Sequence, residues 1–199
     1  MFMKYVVAYR TRRGSTKRYA DWLAADLGVS TQDFRQVADE QIAEADVVVL
    51  CSTNYYGLSL GAHRFKQLVR QYPEKHFAVV FVGSTPMPRE YGGISGHRFM
   101  FHFNYPAEKF PHLAWCWCMG AYDPAQQHPW DRLVLYAYGD YLAARAKKEP
   151  VKPFKKMRED LRHGCDGCDQ ANLAPMVEYL KGLTASSPLP AEPLNLTLR

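Results

Sequence analysis

Residues 45–57 read ADVVVLCSTNYYG, an unbroken apolar run followed at once by short polar and aromatic side chains. The run Asp46–Cys51 is rich in β-branched residues and lacks polar alternation, which is typical of a parallel strand covered on both faces. The polar segment Ser52–Gly57 then leaves the carboxyl end of that strand. Because open parallel sheets bind ligands beyond the carboxyl ends of their strands, this stretch predicts both a fold class and a site.

Four further segments have strand character, and amphipathic helical patterns alternate with them. The strands are predicted at residues 5–9, around Phe34, at 77–82 and at 113–120, and the helices at 20–27, 62–69 and 129–147. Alternation of this kind indicates a parallel sheet with right-handed crossovers. With 199 residues, 47% of them hydrophobic, the chain is too short for an eight-stranded barrel of about 250 residues. We therefore predict an α/β fold: a doubly wound, five-stranded parallel sheet with helices on both faces.

The segment between the fourth and fifth predicted strands gives conflicting signals. Phe99, Phe101, Phe103 and Tyr105 alternate with period two, as in a strand. Two parallel neighbours, however, require a crossover connection, which is usually a helix. We predict a helix at residues 95–104, preceded by an irregular loop that contains prolines and glycines.

The chain after residue 147 differs in composition. Residues 1–147 are predicted to form the sheet domain, and 148–199 a basic, proline-containing extension with a short helix near 175–183. Residues 145–162 hold eight basic and three acidic side chains, and so account for the entire net charge of +5. A local excess of this kind does not indicate a nucleic-acid-binding surface. Bases interleaved with Phe154, Met157 and Leu161 at helical spacing leave open a peripheral contact with an anionic membrane.

Several kinds of protein are disfavoured by simple counts. No run of eighteen apolar residues is present, and the first residues do not resemble a signal peptide. We therefore expect a cytoplasmic protein. If it contacts a membrane peripherally, we expect the contact at the inner face. Five cysteines cannot all pair. The pairs Cys116/Cys118 and Cys165/Cys168 lack the surroundings of zinc or redox motifs, and we predict no metal site.

Three loops are expected at the carboxyl edge of the sheet. Residues 11–16 bring hydroxyls and the free N–H groups of a helix start together, which suits a monophosphate; an ordinary turn capped by Ser15 is the alternative. This loop has neither the Gly-Lys-Ser/Thr ending of a nucleotide-binding loop nor the three-glycine dinucleotide pattern. Residues 52–57 offer tyrosines that could stack on a heterocycle or merely cover the sheet edge. Residues 83–86 add small polar side chains.

These segments are similar to the flavodoxin-like FMN-binding family. Residues 5–16 resemble its first strand and phosphate loop, residues 45–57 its third strand and first flavin loop, and residues 83–93 its second flavin loop. The resemblance extends over about residues 3–146. Residues 119–122 and 129–132 are further similar to the flavodoxin-like, quinone-linked protoporphyrinogen oxidase branch.

The resemblance implies FMN as the cofactor and a role for each loop. The first loop would hold the phosphate, with two arginines adding positive charge; the second would border and stack on the ring, mainly through Tyr56; the third would bond the pyrimidine edge, and Tyr91 would cap the substrate side. No residue stands out as a catalytic acid or base. The cofactor-binding residues so implied are Thr11, Arg12, Arg13, Gly14, Ser15, Thr16, Ser52, Thr53, Asn54, Tyr55, Tyr56, Gly57, Gly83, Ser84, Thr85 and Tyr91.

Three functions follow from the resemblance. The first is an FMN-dependent oxidoreductase acting on a small molecule or quinone. The second is a flavodoxin-type electron carrier that needs a protein partner, and the third is an interaction module without flavin. Carrier flavodoxins are typically acidic, whereas this chain is basic and has Arg12 and Arg13 in the phosphate loop, which favours the enzyme. The oligomeric state is left open.

Overall fold

The structure, a computed structural model, describes residues 3–87, 95–148 and 154–197. Within these residues the strands and helices are, in chain order, β1 Tyr5–Arg10, α1 Ser15–Leu27, β2 Thr31–Asp33, α2 Asp39–Glu44, β3 Val47–Tyr55, β4 Leu58–Ser59, α3 Ala62–Gln71, β5 His76–Gly83, α4 Ser95–Asn104, β6 Leu113–Met119, β7 Ala121–Tyr122, α5 Pro129–Ala146, α6 Phe154–His163, β8 Cys165–Asp166, α7 Ala174–Lys181 and β9 Leu194–Asn195.

The main sheet has seven strands, so the predicted number of five is wrong, although the predicted α/β fold class is confirmed. The order is β2-β1-β3-β5-β6-β9, all parallel, and β4 pairs antiparallel with β3. The first five strands in this order are the five that the sequence predicts, in the doubly wound arrangement. The strand β3 lies between β1 and β5, so its apolar run is covered on both faces, as expected.

The two additional strands are short and depend on neighbours. The strand β3 continues to Tyr55, turns through two residues and returns as β4. At the opposite edge, β9 lies beside β6, where the Leu196 N–H donates to the Trp115 carbonyl at 2.7 Å and the Trp117 N–H donates to the Thr197 hydroxyl at 2.8 Å. Strands of two residues are too short for a hydrophobic period to show.

The predicted helix at residues 95–104 is confirmed as α4. Its aromatic residues alternate for a reason unconnected with a strand: Phe101 and Tyr105 are buried on one side of the helix, while Phe99 and Phe103 are exposed on another. Residues four apart share a helix face, so a period of two along the sequence places two pairs on two faces.

Two helical layers sandwich the sheet, and the extension supplies part of one. On one side α3 and α4 pack on the sheet through Phe65, Leu68 and Phe101. On the other side lie α1 and α7, the latter through Met176 and Leu180. The residues after 147 therefore contribute to the same hydrophobic core as the strands, while the predicted domain boundary at residue 147 stays a prediction.

The helix α5 forms where the sequence predicts it, but its apolar side does not pack on the sheet. Its apolar residues Trp130, Leu133, Val134 and Tyr141 are exposed, whereas Leu142 is buried. The helix packs on α6 instead, through a small cluster of Leu142, Ala146, Phe154 and Leu161. The sheet face that α5 would otherwise cover is occupied by α7.

The packing of α6 on α5 explains the apolar residues in the basic stretch 145–162. Phe154 and Leu161 of α6 are buried against α5, so they are not available to enter a membrane. Among the described residues, no helix combines the length and the apolar character that crossing a membrane requires.

Candidate functional site

A cavity of about 390 Å³ lies at the carboxyl edge of β1, β3 and β5. Its volume is in the usual range of ligand pockets, about 300–1,000 Å³. All three predicted loops reach its wall. Eleven of the sixteen predicted cofactor-binding residues line it: Arg12, Arg13, Ser15, Thr53, Asn54, Tyr55, Tyr56, Gly57, Gly83, Ser84 and Thr85.

Four predicted residues lie behind the wall and shape the loops. The Thr11 hydroxyl accepts a hydrogen bond from the Gly14 N–H at 3.0 Å. Thr16 is fully buried, and its hydroxyl lies 2.7 Å from that of Thr53, which ties the first loop to the second. The Ser52 hydroxyl donates to the Leu60 carbonyl at 2.9 Å. Tyr91, the remaining one, lies outside the described residues.

The first loop ends in an exposed helix start. Gly14, at φ +93°, is the N-cap of α1, and Ser15 is the first helical residue, so the alternative of a turn capped by Ser15 is wrong. No side chain caps this end. The N–H groups of the first turn have no acceptor within the helix, and the helix dipole places partial positive charge there. Since Ser15 lines the cavity, this end of α1 suits an anion.

The two arginines of this loop meet a carboxylate from the first turn of α5. Arg13 Nη2 lies 3.4 Å and Arg12 Nη1 3.9 Å from Asp131 Oδ2. The hydroxyls of Tyr55 and Tyr56 each donate to Asp131 Oδ1 at 3.2 Å. Asp131, whose side chain is 16% exposed, thus joins the predicted phosphate loop to the predicted ring-binding loop.

The turn between β3 and β4 presents the aromatic side chains. Tyr56 and Gly57 both have positive φ, +50° and +86°, as a two-residue hairpin turn requires. The positive φ is costly for a tyrosine, about 1–2 kcal/mol, and such strain is frequent at functional sites. Burial, followed by the Asp131 carboxylate, raises the pKa of Tyr56 to about 12. The hydroxyl therefore stays protonated at neutral pH and remains a donor.

The wall also contains an unsatisfied polar atom and a tightly packed glycine. Asn54 donates through Nδ2 to the Met100 sulfur at 3.3 Å, while its buried Oδ1 has no partner among the described residues. A Cβ on Gly83 would lie 2.6 Å from the Trp117 ring, so only glycine fits there. The Trp117 ring N–H donates to the Thr85 carbonyl at 3.1 Å and fixes the third loop.

The rest of the cavity wall is formed by residues that were not predicted from the sequence. Asp131 was not among the predicted site residues, and neither were eight lining residues: Val82, Met100, Gly120, Ala121, Tyr122, Val134, Leu135 and Tyr138. Residues 120–122 follow the fifth predicted strand at the same edge of the sheet, a signal that could have been used. No local signal places α5 over the cavity, because that depends on its packing against α6.

The cysteines lie outside this arrangement. Cys116 and Cys118 are buried in β6, and burial raises the pKa of both Cys165 and Cys168 to about 11, so these two are neutral thiols at pH 7. In the described part of the chain, no group of three His, Cys, Asp or Glu side chains could hold a metal ion.

Comparisons with known proteins find a family model and a solved structure. Residues 6–91 match the family model described as flavodoxin domain. A solved structure of a flavodoxin from the domain Archaea is 15% identical, with 81% of this chain and 100% of that chain covered and a TM-score of 0.38. No curated protein matches this chain. Flavodoxin domains are associated with electron transfer through flavin, typically FMN. The chain has a doubly wound parallel α/β fold, and its residues 6–91 are similar to the flavodoxin domain family.

Proposed function

We propose that this protein is an FMN-dependent oxidoreductase that exchanges electrons or hydride with a small molecule or quinone. One observation carries the proposal: a single cavity joins an uncapped helix start, a pair of adjacent tyrosines and an unsatisfied buried amide oxygen. These features correspond in order to a phosphate, a flat ring and a polar ring edge. The residues present therefore fit FMN.

The phosphate would lie at the start of α1. The main-chain N–H groups of the first turn and the Ser15 hydroxyl are the donors. Gly14 gives the chain the left-handed conformation, φ +93°, with which it enters the helix, and leaves the space beside it open. Arg12 and Arg13 supply two positive charges nearby, of which Asp131 neutralises one.

The ring would lie between the hairpin turn and the third loop. Tyr56 is half exposed at the rim and presents an aromatic face, and Asn54 Oδ1 is a free acceptor for an N–H at the ring edge. Bound FMN would supply the capacity to accept and release electrons or hydride; the chain's part is to hold it, orient it and exclude water.

The walls beyond this loop favour an enzyme over a carrier. Met100 from α4 and Val134, Leu135 and Tyr138 from α5 continue the cavity past the hairpin turn. An electron carrier needs only an exposed ring edge, whereas an apolar chamber can receive a second, small apolar molecule. The basic net charge points the same way, because it would not complement the basic partners that acidic carriers use.

Two titrations test the cofactor assignment. The untagged protein should bind FMN near 1:1, with quenching of flavin fluorescence, and should bind riboflavin more weakly because riboflavin lacks the phosphate. Ser15→Asp should weaken FMN binding at least about tenfold through charge repulsion at the helix start and leave riboflavin affinity nearly unchanged. Ser30→Asp, an equal charge change at an exposed position before β2, is the control. A wild-type protein that binds neither flavin refutes the proposal.

Turnover then separates enzyme from carrier. The FMN-loaded protein should be reduced in steady state by a nicotinamide cofactor or a quinol and reoxidised by a small acceptor, without another protein. Electron flow only after a partner reductase is added would instead show a carrier.

A further inference from the structure

The exposed hydrophobic residues of this protein are concentrated around the mouth of the cavity. In the described residues, every large hydrophobic side chain that is strongly exposed belongs to the β3–β4 turn with β4, to α4 or to α5. These three elements also line the cavity. We call their exposed side the mouth face; its large apolar residues are Tyr56, Leu58, Phe99, Phe103, Trp130, Leu133, Val134, Tyr138 and Tyr141.

The helix α5 forms the longest part of the mouth face. Its exposed apolar residues recur every three or four positions and so lie on one side of an 18-residue helix about 27 Å long. Trp130 is 68%, Leu133 57% and Tyr141 55% exposed. This side has no protein partner among the described residues, because α7 occupies the sheet face and α6 packs on the other side of α5.

The other two elements extend the same surface across the cavity. Phe99 and Phe103 of α4 are 71% and 63% exposed, and their stacked rings have centroids 6.4 Å apart. Met100, next to Phe99 on this helix, lines the cavity together with Tyr56 and Tyr138. The apolar surface therefore surrounds an opening rather than forming an isolated patch.

Exposed positive charges flank the mouth face. Arg98 of α4 and Arg132 of α5 are exposed, and Lys147 and Lys148 follow α5 directly. Both carboxylates of α5 are engaged: Asp131 by Arg12 and Arg13, and Asp140 by Arg158 at 3.0 Å and Arg162 at 2.9 Å. Among the described residues, α4 and the β3–β4 hairpin contain no acidic side chain. Positive charge thus borders the exposed aromatics of the mouth face.

We infer that the mouth face docks on an anionic lipid bilayer. Trp, Tyr and Phe side chains favour the boundary between headgroups and acyl chains, and a basic rim is attracted to anionic headgroups. A bilayer matches an apolar surface spread over three elements around an opening, since it adapts to that shape. Docking in this orientation places the opening of the cavity at the lipid, from which an apolar substrate could enter directly. This last consequence rests on the proposed function, whereas the docking itself needs no flavin.

Vesicle flotation with the full, flavin-free chain tests the docking. At low ionic strength the protein should float with vesicles of three parts phosphatidylcholine to one part phosphatidylglycerol, much less with pure phosphatidylcholine, and less as salt is added. The variants Trp130→Gln and Leu133→Gln should each weaken binding at least about fivefold, because exposed side chains that insert are lost. Both positions are exposed, so the fold should persist, which circular dichroism would verify.

A charge-matched pair locates the contact. Arg98→Glu lies beside the exposed Phe99 on α4 and should weaken vesicle binding, whereas Lys155→Glu, the same charge change at an exposed position of α6, should have a clearly smaller effect. Equal effects of the two variants would show a diffuse attraction by net charge and overturn the inference.

Two further outcomes overturn it. The first is absence of binding to the anionic vesicles at low salt. The second is a concentration-dependent dimer, seen by analytical ultracentrifugation, in a protein that does not bind vesicles. If Trp130→Gln and Leu133→Gln abolish this dimer, the mouth face binds a second copy of the chain instead. Vesicle binding without FMN binding would instead refute only the proposed function.

Discussion

At the level of single residues, Asp131 has the most contacts with the predicted cofactor loops. Its carboxylate is shared by two guanidinium groups and two tyrosine hydroxyls, and its side chain is only 16% exposed. A phosphate dianion at the start of α1 would compete with Asp131 for Arg12 and Arg13. The carboxylate therefore lowers the positive charge that is available to the phosphate.

We predict that Asp131→Asn strengthens FMN binding by about threefold to tenfold, or ~1 kcal/mol, because it releases the arginines. Riboflavin affinity should not increase, since riboflavin has no phosphate. Fluorescence titration with both flavins measures the difference. Asp140→Asn, which removes an exposed carboxylate paired with two arginines on α6, is the control. Weaker FMN binding in Asp131→Asn would show that the carboxylate positions the tyrosines more than it competes with phosphate.

A second residue-scale prediction concerns His97, which is completely buried on α4 beside Trp117. Its Nε2 lies 3.0 Å from the Pro86 carbonyl, and burial lowers the pKa of its imidazole to about 4. The unfolded chain, with a histidine pKa near 6.5, takes up a proton that the folded protein does not. The stability that neutral His97 provides is thus complete above about pH 6.5 and is lost as the pH falls toward 4.

Between pH 7 and pH 5 this linkage should cost about 2 kcal/mol of the free energy of unfolding. His97→Gln keeps a hydrogen-bond donor but cannot titrate. The variant should therefore lose about 2 kcal/mol less of its free energy of unfolding between pH 7 and pH 5 than the wild-type protein does. Urea unfolding at the two pH values gives the comparison. The pKa of His76 is lowered too, by burial, and both proteins keep that contribution. Identical losses would show that His97 does not contribute.

At the level of elements, a helix of the extension, and not the helix that follows the fifth predicted strand, covers one face of the sheet. The helix α7, from the extension, packs on the sheet beside α1, and the Tyr5 hydroxyl donates to the Leu180 carbonyl at 2.8 Å. The helix α5, which follows the last predicted strand, lies away from the sheet on α6. Both helices have an apolar side, and only one of these sides is buried.

Alanine substitutions should show this difference directly. Leu180→Ala on α7 removes a fully buried side chain and should lower the free energy of unfolding by about 3 kcal/mol. Leu133→Ala on α5 is the matched control, because it removes the same atoms from an exposed position. This variant should change the free energy of unfolding by less than about 0.5 kcal/mol. Comparable losses at both positions would place α5 in the core.

At the level of the whole molecule, the extension completes the fold. It covers one face of the sheet through α7 and extends the edge at β6 through β9, and its α6 supports α5 beside the cavity. A smaller cavity of about 50 Å³ next to the main one has walls from both parts of the chain, including Tyr122 and Leu161. Residues of both parts of the chain therefore line this cavity.

A chain ending at residue 147 should consequently fail to fold cooperatively. Without Leu173, Met176 and Leu180, the apolar side of β6 would face water, and the lost burial of three such side chains, at about 1.5–3 kcal/mol each, approaches the total stability of a typical domain. Thermal unfolding followed by circular dichroism would show a broad, non-cooperative change. A sharp transition within a few degrees of that of the full chain would support residues 1–147 as an independent domain.

The sequence alone determined the five central strands and the three loops at their carboxyl ends. The reason is local: a parallel strand covered on both faces must be apolar throughout, as Val47–Cys51 is, and the residues that follow it emerge at one edge of the sheet. Eleven lining residues of the cavity could be identified in this way.

Only the tertiary structure decided what covers the sheet and what surrounds the cavity. The apolar side of α5 has the same sequence pattern whether it packs on a sheet or is exposed. Asp131 contacts Arg13, which lies 118 positions away in the sequence, so no local pattern predicts the contact. The strand β9 is defined by its hydrogen bonds to β6 and has only two residues. Periodicity tells which side of a helix or strand is apolar, whereas its partner depends on how all the elements share a limited core.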